Sequence, residues 1–210
     1  MGSYFVQIMQ GFNVTLSVFV ITLVLSLPLG VVVAIIRLSK ICVFEKIAEL
    51  YIWILRGTPL LLQIIFIYFG LPLIGIKFDR LNAVYFAFVF NYAAYFGEIF
   101  RSGIQSIERG QTEAANILGF TPFQINTKII LPQVIKRTLP AIGNEVITLV
   151  KDTSLVYIVG ASEILKMAKG IANRDATLVP YIVVGVIYLV LTYVITKLFD
   201  KIERKVQYDE

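Results

Sequence analysis

Residues 12–36 read FNVTLSVFVITLVLSLPLGVVVAII, twenty-five residues without a charge. A helix rises about 1.5 Å per residue, and about 20 apolar residues cross a bilayer core. This stretch is therefore long enough to span, and it predicts a transmembrane helix. No basic region precedes it and no obvious cleavage site follows, so the reading is a retained span and not a signal peptide. Working outward, the pattern recurs. Residues 47–69 form a second apolar run interrupted by Glu49 and Arg56, and residues 81–104 form a third with Glu98 and Arg101 near its end. Residues 178–199 form the last, with Lys197 marking its end. Between them Thr138–Val150 is apolar but short. It crosses only as part of a segment 129–150 that tolerates Pro132 and Pro140. Leu155–Leu165 is too short to cross and is expected to be re-entrant or to lie along the surface. The expectation is a single all-α polytopic transmembrane domain over residues 1–210 with about five spans, four or six being the neighbouring counts.

Composition points the same way. The chain is 58% apolar and 16% charged, with mean hydropathy +0.81, whereas a soluble domain is nearer 25% charged. Lipid is the solvent that fits. The net charge of +5 comes from short Lys/Arg clusters between apolar runs, which reads as topology and not as a nucleic-acid face. With no histidine and one cysteine, Cys42, His-based catalysis and an internal disulfide are excluded. No Walker A pattern is present, so energy from ATP would have to come through a partner. In a five-span arrangement one set of loops carries eleven Lys and Arg and the other six. The positive-inside rule then places the N-terminus outside, the C-terminus in the cytoplasm, and the loop 105–128 in the cytoplasm.

That loop is informative residue by residue. Thr112–Leu118 predicts a short helix with Glu113 in its first turn, where the helix dipole favours a negative charge. Gly119 is placed to end it as a C′ residue. Thr121, Pro122 and Gln124 then open a second helix as N-cap, N1 and N3 of a capping box. Ala114 and Ala115 allow another surface to approach closely, and Ile117, Leu118 and Phe120 offer apolar contact. By physics alone this is either a solvated hairpin between spans or a lever.

The run Glu113-Ala114-Ala115, then Gly119, then Ile129, Leu131 and Pro132 resembles the EAA loop of ABC importer permeases, E-A-A-x3-G-x9-I-x-L-P. Further segments are similar to the polar amino acid branch of that family, the histidine, glutamine and arginine type. They are Arg56-Gly57-Thr58-Pro59-Leu60 with Gln63, Tyr95-Phe96-Gly97-Glu98-Ile99-Phe100-Arg101, and Lys151-Asp152-Thr153-Ser154-Leu155. The resemblance covers roughly half the chain. It implies a type I ABC importer transmembrane domain in a bacterial cytoplasmic (inner) membrane. It also implies a second permease copy (a homodimer or a sibling), an ATP-binding cassette ATPase and an extracytoplasmic solute-binding protein. Glu113, Ala114, Ala115, Leu118, Gly119 and Phe120 would form the coupling helix that docks on the ATPase. ATP and magnesium would sit on that partner, with no cofactor on this chain.

Ionisable groups at membrane depth are functional candidates by default. Glu145 and Asp152 are seven residues apart and fall on one helical face, with Asn144 beside the first, Thr148 between them, and Lys151 next to the second. Two carboxylates suit a cationic amino acid: arginine, lysine or histidine. The alternatives are that Asp152 pairs with Lys151 or caps the following segment, and that Glu145 pairs with an Arg on another span. Asn91, seven residues before Glu98, either reaches substrate or bridges helices. Glu98 and Arg101 can pair with each other. Arg56-Gly57-Thr58-Pro59 predicts a broken helix, with Arg56 either at a site or paired to Glu49 or Glu98, and Gln63 is placed to line the pathway. The expected function is import of a polar, basic amino acid by alternating access driven by a partner ATPase, the chain itself being no enzyme. The alternative is an ion-coupled secondary transporter or channel with Glu98, Glu145 and Asp152 as relay groups. A membrane-embedded enzyme or scaffold stands behind both.

Overall fold

The computed structural model describes residues 2–207. All the regular structure in it is helical: α1 Gly2–Met9, α2 Phe12–Arg37, α3 Cys42–Gly57, α4 Leu60–Ile65, α5 Arg80–Gln105, α6 Arg109–Ile117, α7 Pro122–Gln124, α8 Leu131–Asp152, α9 Ile164–Asp175 and α10 Val179–Gln207. Helix α4 runs on as a π turn, Phe66–Gly70, and a 3-10 turn, Leu71–Ile74. A second π turn, Ile125–Ile130, joins α7 to α8, and a 3-10 turn, Thr153–Val159, extends α8.

Three of these helices are long and apolar enough to cross a membrane: Phe12–Arg37, Arg80–Gln105 and Val179–Val206. The predicted span 47–69 is instead two helices, Cys42–Gly57 and Leu60–Ile74, meeting at 103°. Pro59 lacks the N–H that would continue α3, and Thr58 before it is extended, at φ −120° and ψ 144°. Helix α8 has 22 residues but carries Asn144, Glu145, Lys151 and Asp152, too polar to meet the same measure of hydropathy. The stretch 155–165 is mostly folded inward: Val156, Val159, Ala161 and Ile164 are buried.

The core forms where α2 lies along α5. Gly30 and Gly97 let the two backbones approach; a Cβ at Gly30 would sit 2.7 Å from the Phe96 Cβ, closer than atoms pack. Phe88, Tyr92 and Phe96 fill the middle, with Leu149 and Val146 of α8 behind them. A smaller cluster joins Ile8 of α1 to Ile164, Ala168 and Ile171 of α9 and to Val184 and Ile187 of α10. The outer faces stay apolar: Val24 and Ile35 on α2, Leu189 and Val194 on α10 are all more than half exposed. Such a belt has a favourable solvent only in lipid hydrocarbon.

Candidate functional site

A cavity of about 570 Å³ opens between three elements. Helix α8 contributes Glu145, Thr148 and Asp152 from one face, with Leu155 beyond. Helix α5 contributes Asn91, Tyr92 and Tyr95. The break between α3 and α4 contributes the chain from Arg56 to Leu61. The Tyr92 hydroxyl donates to Asp152 Oδ2 at 2.8 Å, which fixes one carboxylate oxygen and leaves the group facing the cavity. Asp152 stands at the N-cap of the 3-10 turn that follows but makes no side-chain cap bond, and Lys151 beside it is exposed. The Arg56 guanidinium lies 5.1 Å from the centre of the Tyr95 ring, a cation–π geometry. Arg56 and Glu145 line the same cavity. Arg56 does not pair with Glu49, which bridges Arg37 and Lys46 at 3.4 and 3.3 Å. Nor does it pair with Glu98, which is bound to Arg101.

Of the residues the sequence singled out, the structure brings Glu145, Asp152, Asn91 and Thr148 to this cavity. Asn144 and Lys151 are exposed outside its lining. Gln63 faces the other side of the break. Its Nε2 donates to the Leu55 carbonyl at 2.9 Å and to Thr58 Oγ1 at 2.9 Å. Asn91 Nδ2 donates to the same Leu55 carbonyl at 2.9 Å and to Gln63 Oε1 at 3.0 Å. Leu55 is four residues before Pro59, so its carbonyl is the acceptor that the proline orphans. Tyr92 and Tyr95 were missed by sequence reasoning. Their spacing beside Asn91 on one helical face was the available signal, but an aromatic stripe of that kind ordinarily means packing.

The loop 105–128 carries a second surface. Helix α6 ends on Leu118 and Gly119, the latter at φ +80°. Gly119 N donates to Asn116 O at 3.0 Å and Phe120 N to Ala115 O at 3.1 Å, a Schellman arrangement. The Thr121–Gln124 capping box has both reciprocal bonds. The helix begins earlier than the sequence suggested, at Arg109, so Glu113 lies past its first turn. Extended Glu108 (φ −63°, ψ 132°) is the N-cap residue. Glu113, Ala114, Leu118 and Gly119 face outward, Phe120 is half-buried, and Ala115 is turned inward and buried. Ile117, Leu118 and Phe123 are each at least 75% exposed, which leaves an apolar surface that the described residues do not cover.

At the start of α9, Glu163 is buried and its carboxylate accepts from Leu165 N at 2.6 Å and Lys166 N at 2.5 Å. Burial pushes the carboxyl up to about 7, although the two backbone donors and Lys166 pull the other way.

Apolar rods around a charged cavity, with a protruding helical corner at one end, define the membrane-embedded subunit of a transporter. Residues 26–208 match the family described as binding-protein-dependent transport system inner membrane component. The chain is 38% identical over 203 residues to the arginine transport system permease protein ArtQ of Bacillus subtilis, covering 95% of this chain and 92% of that one. It is 36% identical to a putative glutamine transport system permease protein, GlnP, of Rickettsia typhi, covering 94% and 92%. A crystal structure of an amino acid ABC transporter with histidines superposes with a TM-score of 0.91 at 34% identity, covering 98% of this chain and 96% of that one. An inward-facing methionine ABC transporter shares the fold, with a TM-score of 0.75 at 23% identity over 95% and 96% of the two chains. The chain belongs to the binding-protein-dependent inner membrane component family and is a permease subunit of an amino acid ABC importer. In such importers ATP is hydrolysed by a separate subunit.

Proposed function

We propose that this permease carries a cationic amino acid, arginine, lysine or histidine, into the cytoplasm by alternating access. The observation that carries the reading is the charge balance of the cavity: two carboxylates, Glu145 and Asp152, against one lining cation, Arg56. A net negative site in a low-dielectric surround is stabilised by a net positive ligand. A cationic amino acid supplies that, its carboxylate toward Arg56 and its two cationic groups toward the acids on α8. The seven-residue step from Glu145 to Asp152 rises about 10.5 Å along the helix, enough to receive an α-ammonium and a side-chain cation separately. The volume suits a small-molecule site, which spans about 300–1,000 Å³. The similar permease named for arginine transport and the structure described with histidines support the same class of ligand.

In this reading α8 and the bent pair α3–α4 complete five spans, with the N-terminus outside and α6 in the cytoplasm. The outer face of α6 docks on the ATPase, which holds ATP and magnesium. A second permease copy and an extracytoplasmic solute-binding protein complete the importer. Closure of the ATPase dimer on ATP moves α6 and opens the cavity outward; hydrolysis resets it.

Competitive uptake by the reconstituted complex tests the ligand class. Glu145→Gln and Asp152→Asn should each lower kcat/KM for arginine or lysine by at least about tenfold, the equivalent of about 1.4 kcal/mol, with a much smaller effect on glutamine. Equal losses for cationic and neutral amino acids would show that the acids only support the fold.

A further inference from the structure

Helix α6 has two faces. Ala114, Ile117 and Leu118 point away from the chain, while Gln111 and Ala115, one turn apart, point into it. On the inner side, Gln133 of α8 donates from Nε2 to Gln111 Oε1 at 2.6 Å and to the Ile129 carbonyl at 2.8 Å. One turn further along α8, Arg137 donates to the Ser106 carbonyl and to Ser106 Oγ at the end of α5. From Gln133 one helix continues to Asp152, with Pro140 inside it. The nineteen steps from Gln133 to Asp152 rise about 28 Å, from the α6 contact to the far acid of the cavity.

The backbone offers a softer connection between the same two points. It turns at Gly119 and then passes the π turn Ile125–Ile130. Pro132 follows two residues on, and its ring would clash with the carbonyl four residues back in a regular α-helix; the wider π turn relieves that clash. A π turn inside a longer helix is a local break in register and a recognised place for a helix to kink. Motion delivered along the main chain would therefore be absorbed where the rod is weakest. The Gln133 amide bridges that segment, holding α6 with one bond and the Ile129 carbonyl with another.

We propose that Gln133 is a positioning residue that locks α6 to α8, so that displacement of α6 is passed to α8, which carries Glu145 and Asp152. The proposal rests on the reading of α6 as the ATPase-docking helix. Its test is the number of amino acids imported per ATP hydrolysed by the reconstituted importer. Gln133→Leu and Gln111→Leu keep side-chain bulk and helix propensity but remove the bond. In each, the ATPase should co-purify in normal ratio and hydrolyse ATP at close to the normal rate. The transport ratio should fall by at least about fivefold, the lower end of measured coupling between sites. The double variant should fall no further than Gln133→Leu alone, because the Gln133–Gln111 bond is lost in all three. An unchanged ratio, or losses that multiply in the double variant, overturns the proposal. Failure of the underlying docking reading looks different: Leu118→Asp on the outer face would then leave the ATPase bound.

Discussion

Because Pro59 has no N–H, the Leu55 carbonyl loses its helical donor, and Asn91 and Gln63 each supply one from a side chain. These two residues therefore hold the break open at a set angle, and Asn91 reaches the cavity wall as a consequence. Removing either donor leaves the Leu55 carbonyl one of its two side-chain bonds. Gln63→Leu and Asn91→Leu should each destabilise the purified permease by about 0.5–1.5 kcal/mol, read as a lower thermal midpoint in detergent. Uptake of cationic and neutral amino acids should drop together. A selective loss of cationic uptake in Asn91→Leu would instead make Asn91 a ligand group. The shared face of Glu145 and Asp152 was legible because a seven-residue spacing on a helix leaves little choice. The partner of Asp152 was not. Tyr92 sits among Phe88, Tyr95 and Phe96, and the spacing of an aromatic stripe is the same whether a hydroxyl finds a carboxylate or merely fills space.

Local chain chemistry accounts for much of the element scale. The corner between α6 and α7 follows from Gly119, Thr121, Pro122 and Gln124, each at the one position its backbone or side chain suits. The first turn of α6 was not legible because Gly110 depresses helix propensity there, and Glu108 serves as N-cap without a side-chain bond. Helix α9 starts on an acid held against its own chemistry. An ordinary glutamate titrates at 4.5, whereas buried Glu163 titrates at about 7. Between those values the native state binds more protons than the unfolded chain, so Glu163 lowers stability as pH rises from 4.5 to about 7, and the effect levels off above. The thermal midpoint of the detergent-purified protein should include this falling component, and Glu163→Gln should flatten the profile over that interval. A Glu163→Gln profile of the same slope as the parent would show that another group titrates there.

At the scale of the whole molecule, the apolar belt on α2 and α10 was visible in the sequence because nothing else explains so many uncharged residues in a row. Helix α8 was harder to read, since a helix that lines a charged cavity must carry polar residues, and those erase the hydropathy by which spans are found. Orientation can be tested through the single cysteine. Cys42 is exposed at the first residue of α3, in the connection assigned to the cytoplasm. A membrane-impermeant maleimide should leave it untouched in intact cells and label it in inverted vesicles. Labelling from outside intact cells would reverse the topology and remove α6 from any cytoplasmic ATPase.

The polarity of α8 also bears on how the chain is made. A segment with Asn144, Glu145, Lys151 and Asp152 partitions poorly from the translocon into lipid by itself. Helices α2 and α5, both apolar enough to span, are synthesised before it and contact it in the finished fold; α10 follows and covers another side. The order of segments along the chain thus doubles as a building sequence, in which greasy rods are laid down first and the charged one is shelved between them before it meets the acyl chains.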